Sequence, residues 1–409
     1  MSSKDKNPIR VALVVDLFPP IVGGAETHAR DIALEMGRIG AEVTVLTRRA
    51  REDLAAEERL ENGVTVLRVG APGSPRWGKY RFIPALLREW KKRRSDFDLV
   101  YLCGFRVLGW PLARAAARTK TPLVLRAESC GEMSGGFIWD RPGGGTNRWL
   151  KALFTPLIRI RNRRLIRSGH FLAISSVIEE EYLEEGVSTD QLARIPNGVD
   201  LERFCPATSD EKEKLRLALD LPEGLVFLYS GKLNRGKGLS LLLSSWKEFK
   251  NGGGVGTLVL VGSGGGQFLS EEESLRETVV SEGLSHSVRF TGYKRNVEEW
   301  LKAADVFVFP SEMESFGLAP LEANACGLPA ISTDAGALAE TVPDGIAGIR
   351  IGSKDKRALT AALKRLSEDS ALREDLGKSA RKWVEENYSF SNIAKAHLEL
   401  FRRLREGMT

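Results

Sequence analysis

Residues 305–345 read DVFVFPSEMESFGLAPLEANACGLPAISTDAGALAETVPDG. Val306–Phe309 form a short apolar run, typical of a strand buried in a parallel sheet, and Pro310 ends it because proline has no N–H to donate to a neighbouring strand. A polar loop follows. A helix of about two turns is then predicted between Pro320 and Gly327, which are residue types that favour helix starts and helix ends. With the strand, loop and helix that come next, this order indicates an α/β domain.

Two glutamates flank the passage from the first strand into the helix. Glu314 lies in the loop, and Glu322 is expected in the first turn of the helix. Open α/β sheets bind ligands beyond the carboxyl ends of their strands, where the N–H groups of Phe316, Gly317 and Leu318 would be available to an anion. We expect these amides to bind a diphosphate, Glu322 a ribose and Glu314 a sugar. Taken singly, the glutamates have a plainer explanation, since acids are common near helix starts and in solvated loops.

The spacing of these glutamates carries a family resemblance. ESFGLAPLE at 314–322 resembles the E-x7-E signature of the family 4 retaining glycosyltransferases of the GT-B fold. In that family the first glutamate contacts the donor sugar and the second contacts the nucleotide ribose, which implies these roles for Glu314 and Glu322. The resemblance extends beyond the motif to EANACGLPAI at 322–331 and to Gly336, Glu340, Asp344 and Gly345.

Length and composition favour two domains. The chain has 409 residues, which suits two domains of about 200 residues each. Hydrophobic residues make up 42% and charged residues 28%, which is ordinary for a globular protein in water. The start, MSSKDKNPIR, lacks the apolar stretch of a secretory signal, so a cytoplasmic location is expected. The 4 cysteines lie far apart without metal-ligand spacing, which favours reduced thiols over disulfides or a zinc site.

Much of the net charge of +6 comes from two segments, REWKKRR at 88–94 and RIRNRRLIR at 159–167. Such clusters suit anionic lipid headgroups or an anionic acceptor, and they are equally typical of a solvated helix face, so these interpretations stay open. The location is therefore predicted as cytoplasmic, with a peripheral position on the cytoplasmic membrane face as a variant. Nucleic acid is not an expected partner, because no recognition module accompanies the charge.

The first half of the chain contains a second glycine signal. An apolar strand at 9–16 is followed by Gly23 and Gly24 and then by a helical pattern. Glycines allow the backbone to approach a ligand, and a helix start offers N–H groups to an anion, although a simple turn explains two glycines equally well. GGAETH at 23–28 resembles the family loop that faces the donor diphosphate and the acceptor.

Glu128 departs from the family pattern. It follows the strand predicted at 122–126, and many family members have a histidine at about this position. A neutral histidine can donate a hydrogen bond to the donor sugar, whereas an ionised glutamate only accepts. Glu128 is a candidate base toward the acceptor, and a structural acid is the competing interpretation. The glycine-rich stretch 131–145 after it is predicted to be a mobile loop at the acceptor entrance.

The second half repeats the strand and glycine pattern. In GKLNRGKG at 231–238, Lys232 and Lys237 flank glycines at a strand end and can reach a diphosphate, with a surface turn as the alternative. By resemblance, Gly231 and both lysines belong to the basic loop that binds the donor. Lys232 stands where the family usually has arginine, so it keeps the charge and loses the bidentate fork. Gly262 resembles the glycine turn of the family's VG-x-G segment.

The resemblance implies a GT-B fold, in which two Rossmann-like, doubly wound parallel-sheet domains face each other across a cleft. The first domain is expected over 1–202, with a C-terminal helix at 389–409 packing back on it, and the donor-binding domain over 203–388. The implied reaction moves a sugar from a nucleoside-diphosphate sugar to an acceptor hydroxyl with retention of configuration. The candidate catalytic residues are Glu314, Lys237, Lys232 and Glu128. No cofactor or metal is expected, because lysines and amides would stabilise the leaving diphosphate.

Two other functions remain open at this point. The departures at Glu128 and Lys232 fit a sugar-nucleotide-binding protein of the same fold that has lost transfer activity. An epimerase or phosphorylase on a similar two-domain fold fits less well, since those enzymes lack the E-x7-E arrangement.

Overall fold

The computed structural model describes residues 8–21, 23–72, 78–139, 146–265 and 269–407. They form two compact units, one made of the described residues up to Gly198 together with 390–407, and one running from Val199 to Ser389. The predicted boundary after residue 202 lies inside the second unit. Val199 already belongs to that unit, because its N–H donates to the carbonyl oxygen of Tyr388 at 2.7 Å.

The first unit is built on one mainly parallel sheet. Its described strands are β1 (Arg10–Val14), β2 (Glu42–Arg48), β3 (Glu57–Arg59), β4 (Thr65–Val69), β5 (Leu99–Cys103), β6 (Leu123–Arg126), β7 (His170–Ala173) and β8 (Leu192–Arg194). They lie in the order β3-β4-β2-β1-β5-β6-β7-β8. Neighbouring pairs are parallel except β3 with β4, which is antiparallel at the sheet edge. Strands β5 and β6 are fully buried, as expected for parallel strands covered on both faces.

The helices described between these strands are α1 (Gly24–Arg38), α2 (Gly78–Arg93), α3 (Phe105–Thr119), α4 (Gly136–Trp139), α5 (Arg148–Ser168) and α6 (Ser176–Glu184). Helix α5, with 21 residues, is the longest helix in the described ranges, and the sequence indicated it only over 159–167, as one of the open interpretations of the basic segment. The sequence there mixes Pro156, arginines and apolar residues around the helix, so no simple amphipathic pattern is visible. None of the described helices, α5 included, combines the length and the hydrophobicity that crossing a membrane requires.

The second unit has a wholly parallel sheet in its described part. Its strands are β9 (Val226–Ser230), β10 (Thr257–Val261), β11 (Val288–Gly292), β12 (Val306–Phe309), β13 (Ala330–Thr333) and β14 (Gly348–Ile351), in the order β11-β10-β9-β12-β13-β14. Its helices are α7 (Ser209–Ala218), α8 (Leu239–Asn251), α9 (Glu272–Ser281), α10 (Val297–Ala303), α11 (Leu318–Ala325), α12 (Leu338–Thr341), α13 (Lys356–Glu368) and α14 (Ser370–Tyr388). The prediction of two doubly wound α/β domains is confirmed.

The last helix, α15 (Phe390–Arg405), belongs to the first unit although it follows the second unit in the chain. It packs against α1 and buries an apolar face. His397 lies within that face, with its Nδ1 2.8 Å from the carbonyl oxygen of Ile393 and its Nε2 3.1 Å from the hydroxyl of Tyr101 on β5. Burial keeps the pKa of His397 low, at about 4, so the ring is neutral near pH 7 and bonds Tyr101 without a charge.

Asp305 joins three segments of the second unit. Its carboxylate accepts hydrogen bonds from the Lys212 ammonium at 2.7 Å, from the Arg216 guanidinium at 2.5 Å and from the Val226 N–H at 2.7 Å. One side chain thus ties the start of β12 to helix α7 and to strand β9. Because the carboxylate is mostly shielded from solvent, its charge-assisted bonds contribute more than those of an exposed ion pair.

We therefore expect Asp305→Asn to destabilise the second unit by about 2 kcal/mol, since the amide has no charge and its nitrogen cannot accept the hydrogen bonds that one carboxylate oxygen accepts. Urea unfolding followed by circular dichroism measures this. The matched control is Glu374→Gln, which removes an exposed ion pair with Lys378 at 2.6 Å and should cost no more than about 0.5 kcal/mol. Equal losses in the two variants would contradict the role assigned to Asp305.

Candidate active site

In the second unit, the predicted residues lie on loops that leave three neighbouring strands. Loop 231–238 follows β9, Gly262 follows β10, and loop 310–317 follows β12. The strands lie in the order β10-β9-β12 and are parallel, so all three loops emerge at the same edge of the sheet. The lysines and the loop glutamate predicted from the sequence are therefore brought together.

Lys237 and Glu314 form a direct ion pair. The Lys237 Nζ lies 2.5 Å from Oε1 of Glu314, and the hydroxyl of Ser311 donates to the same oxygen at 3.0 Å. The ammonium also stands 5.7 Å from the ring centroid of Phe309. Only 27% of the lysine side chain and 14% of the glutamate side chain are exposed, so the pair is held in a partly desolvated position.

The backbone around this pair is fixed by a close contact. Gly238 has a φ of +68°, and a side chain there would collide with the carbonyl oxygen of Pro310. Nearby, the Glu312 N–H donates to the carbonyl oxygen of Gly236 at 2.8 Å. The two loops pack backbone to backbone, which only glycine allows at position 238. This packing places Lys237 beside Glu314.

Helix α11 begins earlier than predicted. Gly317, with a φ of +94°, is its N-cap, and Leu318 rather than Pro320 is the first helical residue. Proline is tolerated at the third position, because the first N–H groups of a helix have no partner within it. Glu322 consequently lies in the second turn, not in the first, and is half-buried. Glu322 still lies about one turn after Leu318, the first residue of the helix.

The N–H groups of Phe316, Gly317 and Leu318 donate to no residue in the described ranges. The Phe316 side chain is buried and packs edge to face with Tyr388 at a centroid distance of 6.0 Å. The ring thus holds the loop while its amide and the next two remain available. Three unpaired N–H groups at the positive end of a helix form a site suited to an anion.

Gly231 and Gly262, the two other glycines of this unit that were predicted to bind the donor, make close turns. Gly231 has a φ of +152°, and its N–H donates to the carbonyl oxygen of Val261 at 3.0 Å. Gly262 has a φ of +148°, and a side chain there would collide with the carbonyl oxygen of Gly231. Lys232, the residue after Gly231, is exposed. Its carbonyl oxygen accepts a hydrogen bond from the Tyr229 hydroxyl at 2.9 Å. Its ammonium is available at the same sheet edge.

In the first unit, Gly23 is the N-cap of α1 and Gly24 its first residue. The backbone of Gly23 is extended, so its φ does not require glycine. A side chain at position 23 would meet the carboxylate of Glu26, which is the end of a flexible side chain and can move aside. Gly24 has open space around it, since no described atom lies within 4 Å of the place that a Cβ would take. Neither position therefore requires glycine for its backbone conformation or for its packing.

Glu128 follows β6 and lies in an unusual environment. Its Oε1 is buried and has no hydrogen-bond partner among the described residues. Burial, and then the carboxylates of Glu132 and Glu26, raise the pKa of Glu128 to about 7 against the opposing charges of Arg126 and Lys79. A carboxyl group with this pKa exchanges a proton near neutral pH. It is therefore suited to acid–base chemistry, as the sequence interpretation allowed.

Two acids that the sequence did not identify hold the segment around Glu128. Glu132 is buried and accepts from the N–H groups of Glu128 at 3.1 Å and Phe105 at 2.9 Å. Glu181 on α6 accepts from the N–H groups of Gly131, Met133 and Ser134 at 2.7, 2.9 and 2.8 Å. Residues 131–134 are thus fixed rather than mobile as predicted. The predicted loop also includes 140–145, which lie outside the described residues.

No disulfide includes any of the four cysteines, Cys103, Cys130, Cys205 and Cys326. Within the described ranges, no three side chains of histidine, cysteine, aspartate or glutamate come together in a way that would hold a metal ion.

The chain resembles known proteins over nearly its whole length. It matches the family described as Glycosyltransferase Family 4 over residues 22–203 and the family described as Glycosyl transferases group 1 over residues 211–383. A D-inositol 3-phosphate glycosyltransferase of Frankia alni is 26% identical over 88% of this chain and 89% of that protein.

Solved structures have the same fold. Sucrose-phosphate synthase of Thermosynechococcus elongatus superposes with a TM-score of 0.80 at 23% identity, covering 98% of this chain and 100% of that one. Anabaena HepE, solved in complex with UDP, superposes with a TM-score of 0.74 at 20% identity, covering 96% of this chain and 99% of that one. HepE has also been solved in complex with UDP-glucose.

The two parallel-sheet units and these neighbours show the GT-B fold. The chain belongs to the family 4 glycosyltransferases, and the resemblance based on the E-x7-E spacing is confirmed.

The raised pKa of Glu128 gives a stability prediction. Below its ordinary pKa of 4.5 the carboxyl is protonated in both the folded and the unfolded chain; between 4.5 and about 7 only the folded chain retains the proton. This group's contribution to stability is therefore lost as pH rises through that window. Glu128→Gln should remove this pH dependence. Between about pH 5 and about pH 8, the free energy of unfolding of wild type should therefore fall by about 2 kcal/mol more than that of the variant.

Urea unfolding at both pH values measures the difference. Glu180→Gln is the matched control, because Glu180 is an exposed glutamate of the same unit and its replacement should leave the pH dependence of wild type unchanged. Parallel pH profiles for wild type and Glu128→Gln would show that Glu128 titrates as an ordinary acid.

Proposed function

We propose that this glycosyltransferase moves a sugar from a nucleoside-diphosphate sugar to an acceptor hydroxyl with retention of the anomeric configuration. The observation that carries the proposal is the Lys237–Glu314 pair beside the three unpaired N–H groups at the start of α11. A cation and available amides match the diphosphate of such a donor, and the carboxylate beside them matches its sugar hydroxyls.

The diphosphate is assigned to the amides of Phe316, Gly317 and Leu318 and to the Lys237 ammonium. The helix start attracts negative charge, and the amides donate hydrogen bonds to phosphate oxygens. Lys237 is already oriented by Glu314, so it loses little conformational freedom when a phosphate arrives. The exposed Lys232 adds a second cation.

The sugar and the ribose are assigned to the two glutamates. Glu314 has a second carboxylate oxygen, Oε2, beside the one that bonds Lys237 and Ser311, and this oxygen is suited to accept from sugar hydroxyls. Glu322 lies four residues after Leu318, so the two residues are on the same side of α11. A ribose next to a phosphate bound at the helix start would therefore lie within reach of Glu322.

A uridine donor is the first to test. The neighbour HepE is solved with UDP and with UDP-glucose, which supports a UDP-sugar for this chain as well. The name of the Frankia alni relative makes D-inositol 3-phosphate the first acceptor to test.

The proposed catalysis rests on charge stabilisation. As the bond between the sugar and the diphosphate breaks, Lys237, Lys232 and the amides of α11 stabilise the developing negative charge. The acceptor hydroxyl loses its proton to a phosphate oxygen of the donor. Glu128 is the second candidate for this proton, because its pKa of about 7 allows it to accept at neutral pH.

The donor site can be tested by thermal shift and by kinetics. UDP should raise the melting temperature of wild type by binding the folded state, whereas GDP, ADP and TDP should raise it less. We expect Glu322→Ala to lose most of the UDP shift, and Lys237→Ala to lower turnover at least about tenfold because the leaving group is less stabilised.

Lys382→Ala is the matched control for the loss of a positive charge, since Lys382 is 75% exposed and belongs to α14 of the same unit. It should retain both the shift and the turnover. If Glu322→Ala and Lys237→Ala behave like this control, the donor site is assigned wrongly. The anomeric configuration of the product, read by NMR, tests retention.

The same assignment predicts activity without a divalent metal, because protein cations and amides take the place of a metal at the diphosphate. Turnover in the presence of excess EDTA should stay within about twofold of turnover with added Mg²⁺. A known Mg²⁺-dependent transferase assayed in parallel confirms that the chelator acts. Loss of turnover with EDTA, restored by Mg²⁺, would contradict the metal-independent mechanism.

A further inference from the structure

Helix α5 is anchored to the first unit along one side only. Ile158, Asn162 and Leu165 are its buried residues. The Asn162 amide donates to the carbonyl oxygen of Met133 and to the carboxylate of Glu185, both at 2.9 Å. Its N-terminus is capped by the Asn147 side chain, which accepts from the Leu150 N–H at 3.2 Å. The helix is therefore firmly held, and its opposite side faces away from these partners.

That opposite side has a row of large apolar side chains where a solvated helix would be polar. Trp149, Leu153, Leu157 and Ile160 are 71%, 52%, 60% and 49% exposed. Their spacings of four, four and three residues place them within an arc of about 80° on a helix. We call these four residues the outward row. Single exposed apolar residues are ordinary, but a contiguous row marks an interaction surface.

The stretch of sequence that contains the outward row is rich in cations and has no acid. Residues 141–178 contain no aspartate or glutamate. The exposed cations of α5 form no ion pair with another residue in the described ranges; they are Arg148, Lys151, Arg159, Arg163, Arg164 and Arg167. The Arg164 guanidinium lies 5.2 Å from the ring centroid of Trp110, a 44% exposed residue of α3 that extends the apolar surface.

The other basic cluster of the sequence differs. In α2, Glu89 pairs with Arg93 at 2.8 Å and with Lys92 at 3.5 Å, so part of its charge is neutralised within the helix. The neighbouring Trp90 is buried rather than presented outward. On α5, by contrast, exposed apolar residues lie beside cations that form no ion pair with the described residues.

We propose that α5 docks the first unit onto an anionic lipid bilayer. The outward row enters the boundary between headgroups and acyl chains, and the arginines and lysine bind headgroup phosphates. A cationic helix with an apolar side lies in the plane of such an interface, and tryptophan is favoured at that depth. The complementary charge selects the bilayer as the occupant, because every exposed charged residue of α5 is a cation.

Flotation with extruded vesicles tests the proposal. The full chain should bind phosphatidylcholine vesicles that contain about 30% phosphatidylglycerol at least about tenfold more tightly than vesicles of phosphatidylcholine alone. Leu153→Ser with Leu157→Ser should weaken binding to the anionic vesicles at least about tenfold through lost apolar burial. Arg159→Glu with Arg163→Glu should weaken it at least as much. All four side chains are exposed, so these variants should keep the melting temperature of wild type.

Leu217→Ser is the matched control, since Leu217 is a 77% exposed leucine on α7 of the second unit, and its binding should equal that of wild type. Tryptophan fluorescence gives a second readout. Emission of wild type should shift to the blue on anionic vesicles, whereas Trp149→Leu should bind and show a smaller shift.

Three results would overturn the proposal. The first is that wild type does not float with anionic vesicles at low salt. The second is that the double serine variant binds these vesicles as wild type does, which leaves a purely electrostatic contact. The third is that wild type floats with neither kind of vesicle and is a dimer in solution, which the double serine variant dissociates. The last result would assign the outward row to a second copy of the chain.

Discussion

The carbonyl oxygen of Pro310 leaves no room for a side chain at position 238, and the rest of the candidate donor site depends on this contact. A non-glycine residue with the φ of +68° found there would cost about 1–2 kcal/mol even without the collision. Glycine allows the loop after β9 to lie on the loop after β12. The lysine before it then meets the glutamate of the second loop at 2.5 Å. Backbone packing, rather than attraction between charges, sets this geometry.

For the same reason, the proximity of these loops could be expected from the sequence. Glycines at strand ends, and acids and lysines beside them, are local features, and parallel strands bring their loops to one sheet edge. The start of α11 was predicted less well, because Pro320 looks like a helix start whereas Gly317 caps the helix through its positive φ. Helix propensity of single residues does not reveal which glycine adopts that conformation.

Contacts between distant segments could not be predicted. Glu181 holds residues 131–134 from about 50 positions away through three backbone N–H groups, and no motif marks it. The result changes the interpretation of Glu128, because the segment after it is fixed. A carboxylate in a fixed, partly desolvated position keeps a raised pKa, whereas a mobile loop would let the group turn toward water.

The sequence indicated α5 only as a possible helix face at 159–167, because the two sides of this helix are both apolar in part. One side is buried against the unit and the other carries the outward row, so the usual contrast between an apolar and a polar face is missing. Such a pattern is costly for a helix whose outer side only meets water. The arginines between the apolar residues have no carboxylate partner in 141–178. A surface that is both apolar and uniformly cationic is explained by a partner that is apolar and anionic, and a lipid bilayer with acidic headgroups has both properties.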